Sequence, residues 1–83
     1  MRSHHDEGLP IEVVAYSGSS GEEEPRQLRL AGRSSAVERI LDRWREPGGR
    51  YFRVLTDDRH VHLLVCRDAD LSWRLVVEPR KLR

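Results

Sequence analysis

Leu71, Trp73, Leu75 and Val77 alternate with Ser72, Arg74, Val76 and Glu78, and this period-two pattern restricts the fold more than any other feature of the chain. Successive side chains of a strand point to opposite faces, so the pattern describes a strand with one face toward a core. Ala69-Asp70 supplies the turn before it. Upstream, residues 51–56 and 61–66 are β-rich runs separated by Asp57-Asp58-Arg59, a polar turn whose acids can cap their own backbone. They form an expected hairpin, and the alternating run should pair antiparallel with 61–66. Residues 11–16, Ile-Glu-Val-Val-Ala-Tyr, follow Pro10 at a position where a proline can start a strand without losing a ladder bond. Ser17-Gly18-Ser19-Ser20-Gly21 and Glu22-Glu23-Glu24 read as a loop, and the next strand starts after Pro25 with Leu28 and Leu30 inward. Short turns and the absence of βαβ spacing argue for an antiparallel sheet closing on itself.

At 83 residues the chain has room for one core. Its 37% hydrophobic and 35% charged residues, with a net charge of +1, are a globular balance. Residues 1–9, which include His4, His5, Asp6 and Glu7, bring almost nothing apolar to offset the entropy of ordering. They are expected to be a disordered tail ahead of a single domain at 10–83. Cys66 is the only cysteine, so stability must come from packing without an intrachain disulfide, as in the cytoplasm. No apolar run approaches the roughly 20 residues that span a bilayer, and residues 1–10 lack the apolar centre of a secretion signal. The expectation is a cytoplasmic monomer with no membrane partner.

Residues 34–45 carry two conflicting signals. Val37, Ile40, Leu41 and Trp44 fall at helical spacing, Ser35-Ala36-Val37-Glu38 matches a capping box, and Pro47-Gly48-Gly49 would end a helix. Against this stand the like-charge pairs Glu38 with Asp42 and Arg39 with Arg43 at i, i+4, each costing a few tenths of a kcal/mol.

The pattern Pro25-x-x-Leu28-x-Leu30-x-Gly32-Arg33, Val37-x-x-Ile40-Leu41-Asp42-Arg43-Trp44, Tyr51-Phe52-Arg53-Val54 and Trp73-x-Leu75 resembles a bacterial domain family of unknown function. The resemblance covers about residues 25–78. Members are small stand-alone proteins, and a related domain lies at the carboxyl end of polymerase-like proteins of damage-induced mutagenesis cassettes. It implies a fold and brings no catalytic residues. It also implies that 34–44 is a long bent strand with a bulge between Val37 and Ile40. The expected fold is therefore all-β, a small SH3-like antiparallel barrel of about five strands. The alternative is an α+β arrangement with one helix at about 35–45 packed on an antiparallel sheet.

Candidate chemistry is sparse. His60-x-His62 would set two imidazoles about 6.6 Å apart on one strand face, but Cys66 lies roughly 13 Å further along, too far to share an ion. No metal and no cofactor are expected. Cys66, in an apolar run, fits a small buried hydrophobe better than an activated thiolate. Asp57, Asp58, Asp68 and Asp70 lack the spacing of a calcium loop and serve as turn caps, and neither glycine pair has a phosphate-loop context. Nothing here assembles an enzyme.

Charge is the remaining signal. Residues 1–25 hold one Arg and six acids, a net −5, while residues 26–53 hold eight Arg and three acids, a net +5. Arg26, Arg29, Arg33, Arg39, Arg43, Arg45, Arg50 and Arg53 are interleaved with Trp44, Tyr51 and Phe52. Small barrels that bind nucleic acid combine a positive groove with stacking rings. Arg39, Arg43, Arg45 and Arg53 are the candidate contacts, and an acidic partner, nucleic acid or protein, is expected. The plainer alternatives are a codon bias toward Arg, with Trp44, Phe52 and Trp73 as core anchors. A rival function is a protein-interaction barrel that takes a partner peptide on a strand edge.

Overall fold

The computed structural model describes residues 8–17 and 23–76. Most of the expected tail, residues 18–22 of the expected loop, and Val77 and Glu78 of the alternating run lie outside them. Seven strands succeed one another in chain order: β1 (Leu9–Pro10), β2 (Glu12–Ser17), β3 (Glu23–Leu30), β4 (Arg33–Glu46), β5 (Gly49–Thr56), β6 (Val61–Arg67) and β7 (Trp73–Val76). They form one curled antiparallel sheet in the order β1-β7-β6-β5-β4-β3-β2, a half-barrel. Only Ile11 separates β1 from β2, so one stretch of chain carries both sheet edges, and the Ile11 N–H donates to the Trp73 carbonyl at 3.4 Å. Among the described residues the count is seven and not about five, because 33–46 is a sixth strand beside the five shorter runs and the N-terminal strand is divided at Ile11 between two neighbours, Leu9 pairing with Leu75 and Glu12 with Arg29. β3 begins at Glu23, ahead of Pro25, since Glu23 and Glu24 pair with Ser17 and Tyr16 of β2.

The expected long bent strand is present as β4, with a bulge between Val37 and Ile40, and the alternative helix at 35–45 does not form. Ala36 pairs with Gln27 of β3 and Val37 with Thr56 of β5, so the strand bends from one neighbour to the other. Its register skips Glu38 and Leu41. Each bulge sets two residues against one and resets the facing of the residues after it. Val37, Ile40 and Arg43 thereby share a face at a spacing of three, which imitates a helix. Leu41, buried in a helix of that phase, is instead 45% exposed.

The core lies on the concave face, where Leu28, Phe52, Val54 and Leu64 are buried with Ile11, Val13, Val37, Ile40, Trp73 and Leu75 packed against them. The expected 51–56/61–66 hairpin and the pairing of 61–66 with the Trp73 strand are both present, with Phe52 opposite Leu64 and Cys66 opposite Trp73. Two leucines depart from the alternation. Leu30, at the end of β3, is exposed, and Leu71, at φ +60° and 69% exposed, belongs to the turn before β7.

The β5–β6 turn is held by its acids as well as its backbone. The Thr56 hydroxyl donates to Asp58 Oδ1 at 2.6 Å, and this bond, helped by His60, pulls the Asp58 carboxyl down to about 2. Asp70 likewise accepts from the Ser72 N–H at 3.0 Å and hydroxyl at 2.7 Å. In the β3–β4 turn both central residues have positive φ, Ala31 at 53° and Gly32 at 79°, with Leu30 opposite Arg33. That is a type I′ geometry, for which Asn-Gly is the favoured pair and an alanine Cβ is a liability. Ala31→Asn is expected to stabilise by about 0.5–1 kcal/mol, a rise in Tm of about 2–8 °C in a domain this small. An unchanged or lower Tm would show that the left-handed residue costs nothing here.

Candidate nucleic-acid interface

The β4–β5 hairpin positions the arginines. Pro47 and Gly48 form its tip, with Gly48 at φ +99° as a type II turn requires, and Glu46 pairs with Gly49. A Cβ on Gly49 would lie 2.8 Å from the Cys66 carbonyl oxygen, so a residue without a side chain lets β5 and β6 meet there. From this register Arg43 stands opposite Phe52, and Arg45 stands opposite Arg50. The Arg43 and Arg50 Cζ atoms lie 5.9 and 5.5 Å from the Phe52 ring centroid, within cation–π range. Together these residues line an open cleft of about 240 Å³ bordered by Trp44 and Tyr51.

Arg39 and Arg53 do not join this row. Arg39 is opposite Leu55 and Arg53 opposite Asp42, positions that alternate with the core-facing ones. Arg53 sits over the Trp44 ring, 5.4 Å from its centroid, and Trp44 stacks on Tyr51 at 5.5 Å with planes 9° apart. Of the four candidates, then, Arg43 and Arg45 converge, while the two bulges and the strand parity send Arg39 and Arg53 elsewhere. Arg50 is the member of the row that sequence reasoning leaves out. Only its cross-strand position opposite Arg45 could have singled it out.

Acids from every part of the chain meet the arginines in space, Glu12 and Glu24 among them from the acidic segment. Arg43 Nη1 donates to Glu24 Oε2 at 2.8 Å, and Glu24 lies 4.0 Å from Arg26. Arg45 pairs with Asp68 at 3.1 Å, Arg29 with Glu12 at 3.5 Å, Arg59 with Glu38 at 3.1 Å and Arg53 with Asp42 at 4.0 Å. Arg50 Nη1 donates to the Glu23 carbonyl at 3.1 Å. Exposed pairs of this kind contribute about 0–1 kcal/mol each, so an anionic ligand can replace them at little cost.

The other chemical candidates fall apart from the cleft. The His60 and His62 rings are 6.2 Å apart, and among the described residues no group of three or more His, Cys, Asp and Glu could hold a metal ion. Burial lowers His62 toward the neutral imidazole, and burial pushes the Cys66 thiol up against a smaller pull from Arg50. Cys66 is buried and faces the core beside Trp73. Tyr51 is raised by its burial and then by Glu46, so its ring borders the cleft as a neutral phenol. Among the described residues no helix is long and apolar enough to cross a membrane.

No known protein family, curated protein or solved structure matches this chain. Its fold and site define a small antiparallel β half-barrel with an arginine row and aromatic rings at one end.

Proposed function

We propose that the protein is a non-enzymatic binding or accessory module, an SH3-like barrel of the bacterial cytoplasm, whose partner is single-stranded nucleic acid. The observation that carries the reading is Arg45 directly opposite Arg50, with Arg43 beside them over Phe52. Arg45 and Arg50 are like charges opposed across a strand pair, held by Asp68 and the Glu23 carbonyl at their rims, and an anion between them would take the place of those surface contacts. Trp44 and Tyr51 border the same cleft, so a stacked aromatic pair adjoins the arginines, the combination of rings and positive charge that single-strand binders use. A cleft of about 240 Å³ suits a phosphate and one base better than a duplex.

The test is titration of an oligothymidylate, read by Trp fluorescence across salt concentrations. Arg43→Ala with Arg45→Ala is expected to weaken binding about tenfold at low salt and to flatten the salt slope by about 0.7 for each lost phosphate contact. Arg39→Ala, on the other face, should change affinity by less than about twofold on the same electrostatic grounds. Wild-type protein that binds no oligonucleotide at low salt would refute the reading. A second reading rests on β2, which has only β3 beside it among the described strands and leaves Tyr16 62% exposed. A peptide could add there, and such a complex would be insensitive to salt.

A further inference from the structure

The N-terminal half of β3 carries an acid into the arginine row. β3 pairs with β4 only from Gln27 to Leu30, so Glu23 to Arg26 lie beyond that ladder. There Glu24 meets Arg43 at 2.8 Å and Arg26 at 4.0 Å, and the Glu23 carbonyl accepts from Arg50 at 3.1 Å. Arg43 is half-exposed, whereas the Glu24 side chain is only 17% exposed, held against the site with Pro25 buried beside it. A carboxylate between two guanidiniums occupies the place a phosphate would take, and charge-assisted contacts to carboxylate and phosphate use the same fork of donors.

We propose that Glu24 is an internal competitor for the nucleic-acid phosphate, so that the free protein holds its own arginine row partly closed and binding requires the Glu24–Arg43 pair to open. This rests on the nucleic-acid reading above. The affinity of the wild type is then lower than its arginines would give, by the free energy of that pair. Removing the carboxylate without changing its shape frees Arg43 and Arg26 together.

The experiment measures oligothymidylate affinity at 50 mM salt, as in the titration above, for wild type, Glu24→Gln, Glu12→Gln and Glu24→Gln combined with Arg43→Gln, with thermal melting of each. Glu24→Gln is expected to tighten binding about three- to fivefold, the range one exposed ion pair allows, and to steepen the salt slope by about 0.7. The gain should vanish in the Arg43→Gln background. Glu12→Gln removes the same charge from a pair with Arg29, outside the cleft, and should change affinity by less than about 1.5-fold. If wild type binds and Glu24→Gln, melting as wild type does, binds no tighter, the competitor role is wrong. If Glu24→Gln and Glu12→Gln tighten binding equally, the effect is net charge alone and the role is again wrong. If neither wild type nor Glu24→Gln binds, the nucleic-acid reading itself fails and this inference with it.

Discussion

Phe52→Ala is expected to destabilise the protein by about 3–5 kcal/mol, the range for deleting a buried aromatic. Phe52 is almost fully buried among Leu28, Val54 and Leu64, and its ring meets Trp73 at 5.5 Å with planes at 39°. At about 0.05–0.15 kcal/mol per residue, a chain of 83 residues has a total stability of about 4–12 kcal/mol. The loss equals the whole stability at the low end of that range and about a quarter to two fifths of it at the high end. The same ring lies under Arg43 and Arg50, so core and cleft share one side chain. Denaturant unfolding measures the effect, and a loss below about 1 kcal/mol would mean that the concave face is not the core.

Trp73→Ala comes next, at about 3–4 kcal/mol. Trp73 packs on the core beside Phe52 but is half-buried, which places it toward the lower end of the range for large aromatics. Trp44 offers the contrast within one molecule. Its ring is on the other face, stacked on Tyr51, and Trp44 Nε1 donates to Glu46 at 2.8 Å. Trp44→Ala should cost about 1 kcal/mol, the value of an aromatic pair in partial contact with solvent. Equal losses at the two positions would contradict the assignment of faces.

Both effects depend on an alternation that is visible in the chain itself. The Trp73 strand, the hairpin around Asp57-Asp58-Arg59 and the antiparallel arrangement derive from local period-two patterning and turn chemistry, because strand facing is set residue by residue. The bulge between Val37 and Ile40 is implied only by the resemblance to a known pattern. The second bulge, at Leu41, is signalled neither by that pattern nor by local spacing. Ala31-Gly32 is equally silent, since alanine does not announce a left-handed turn.

The site is legible in kind and not in membership. Eight arginines among aromatics mark the basic segment, and Arg43 and Arg45 are within reach of that reasoning. Arg50 is not. Its partnership with Arg45 is a property of the β4–β5 register, fixed by the Pro47-Gly48 tip.

The amino-acid sequence by itself determined the all-β class, the central hairpin, the facing of Trp73 and the basic character of one stretch, because each is written in contiguous residues. The strand at 34–44 is implied by the resemblance, whereas tertiary structure alone decided its second bulge at Leu41, that Arg39 and Arg53 part from Arg43 and Arg45, and that Glu24 reaches Arg43 across 19 positions of chain. Bulges and cross-strand register carry those decisions, and both depend on pairing partners far away in the chain, which no local pattern records.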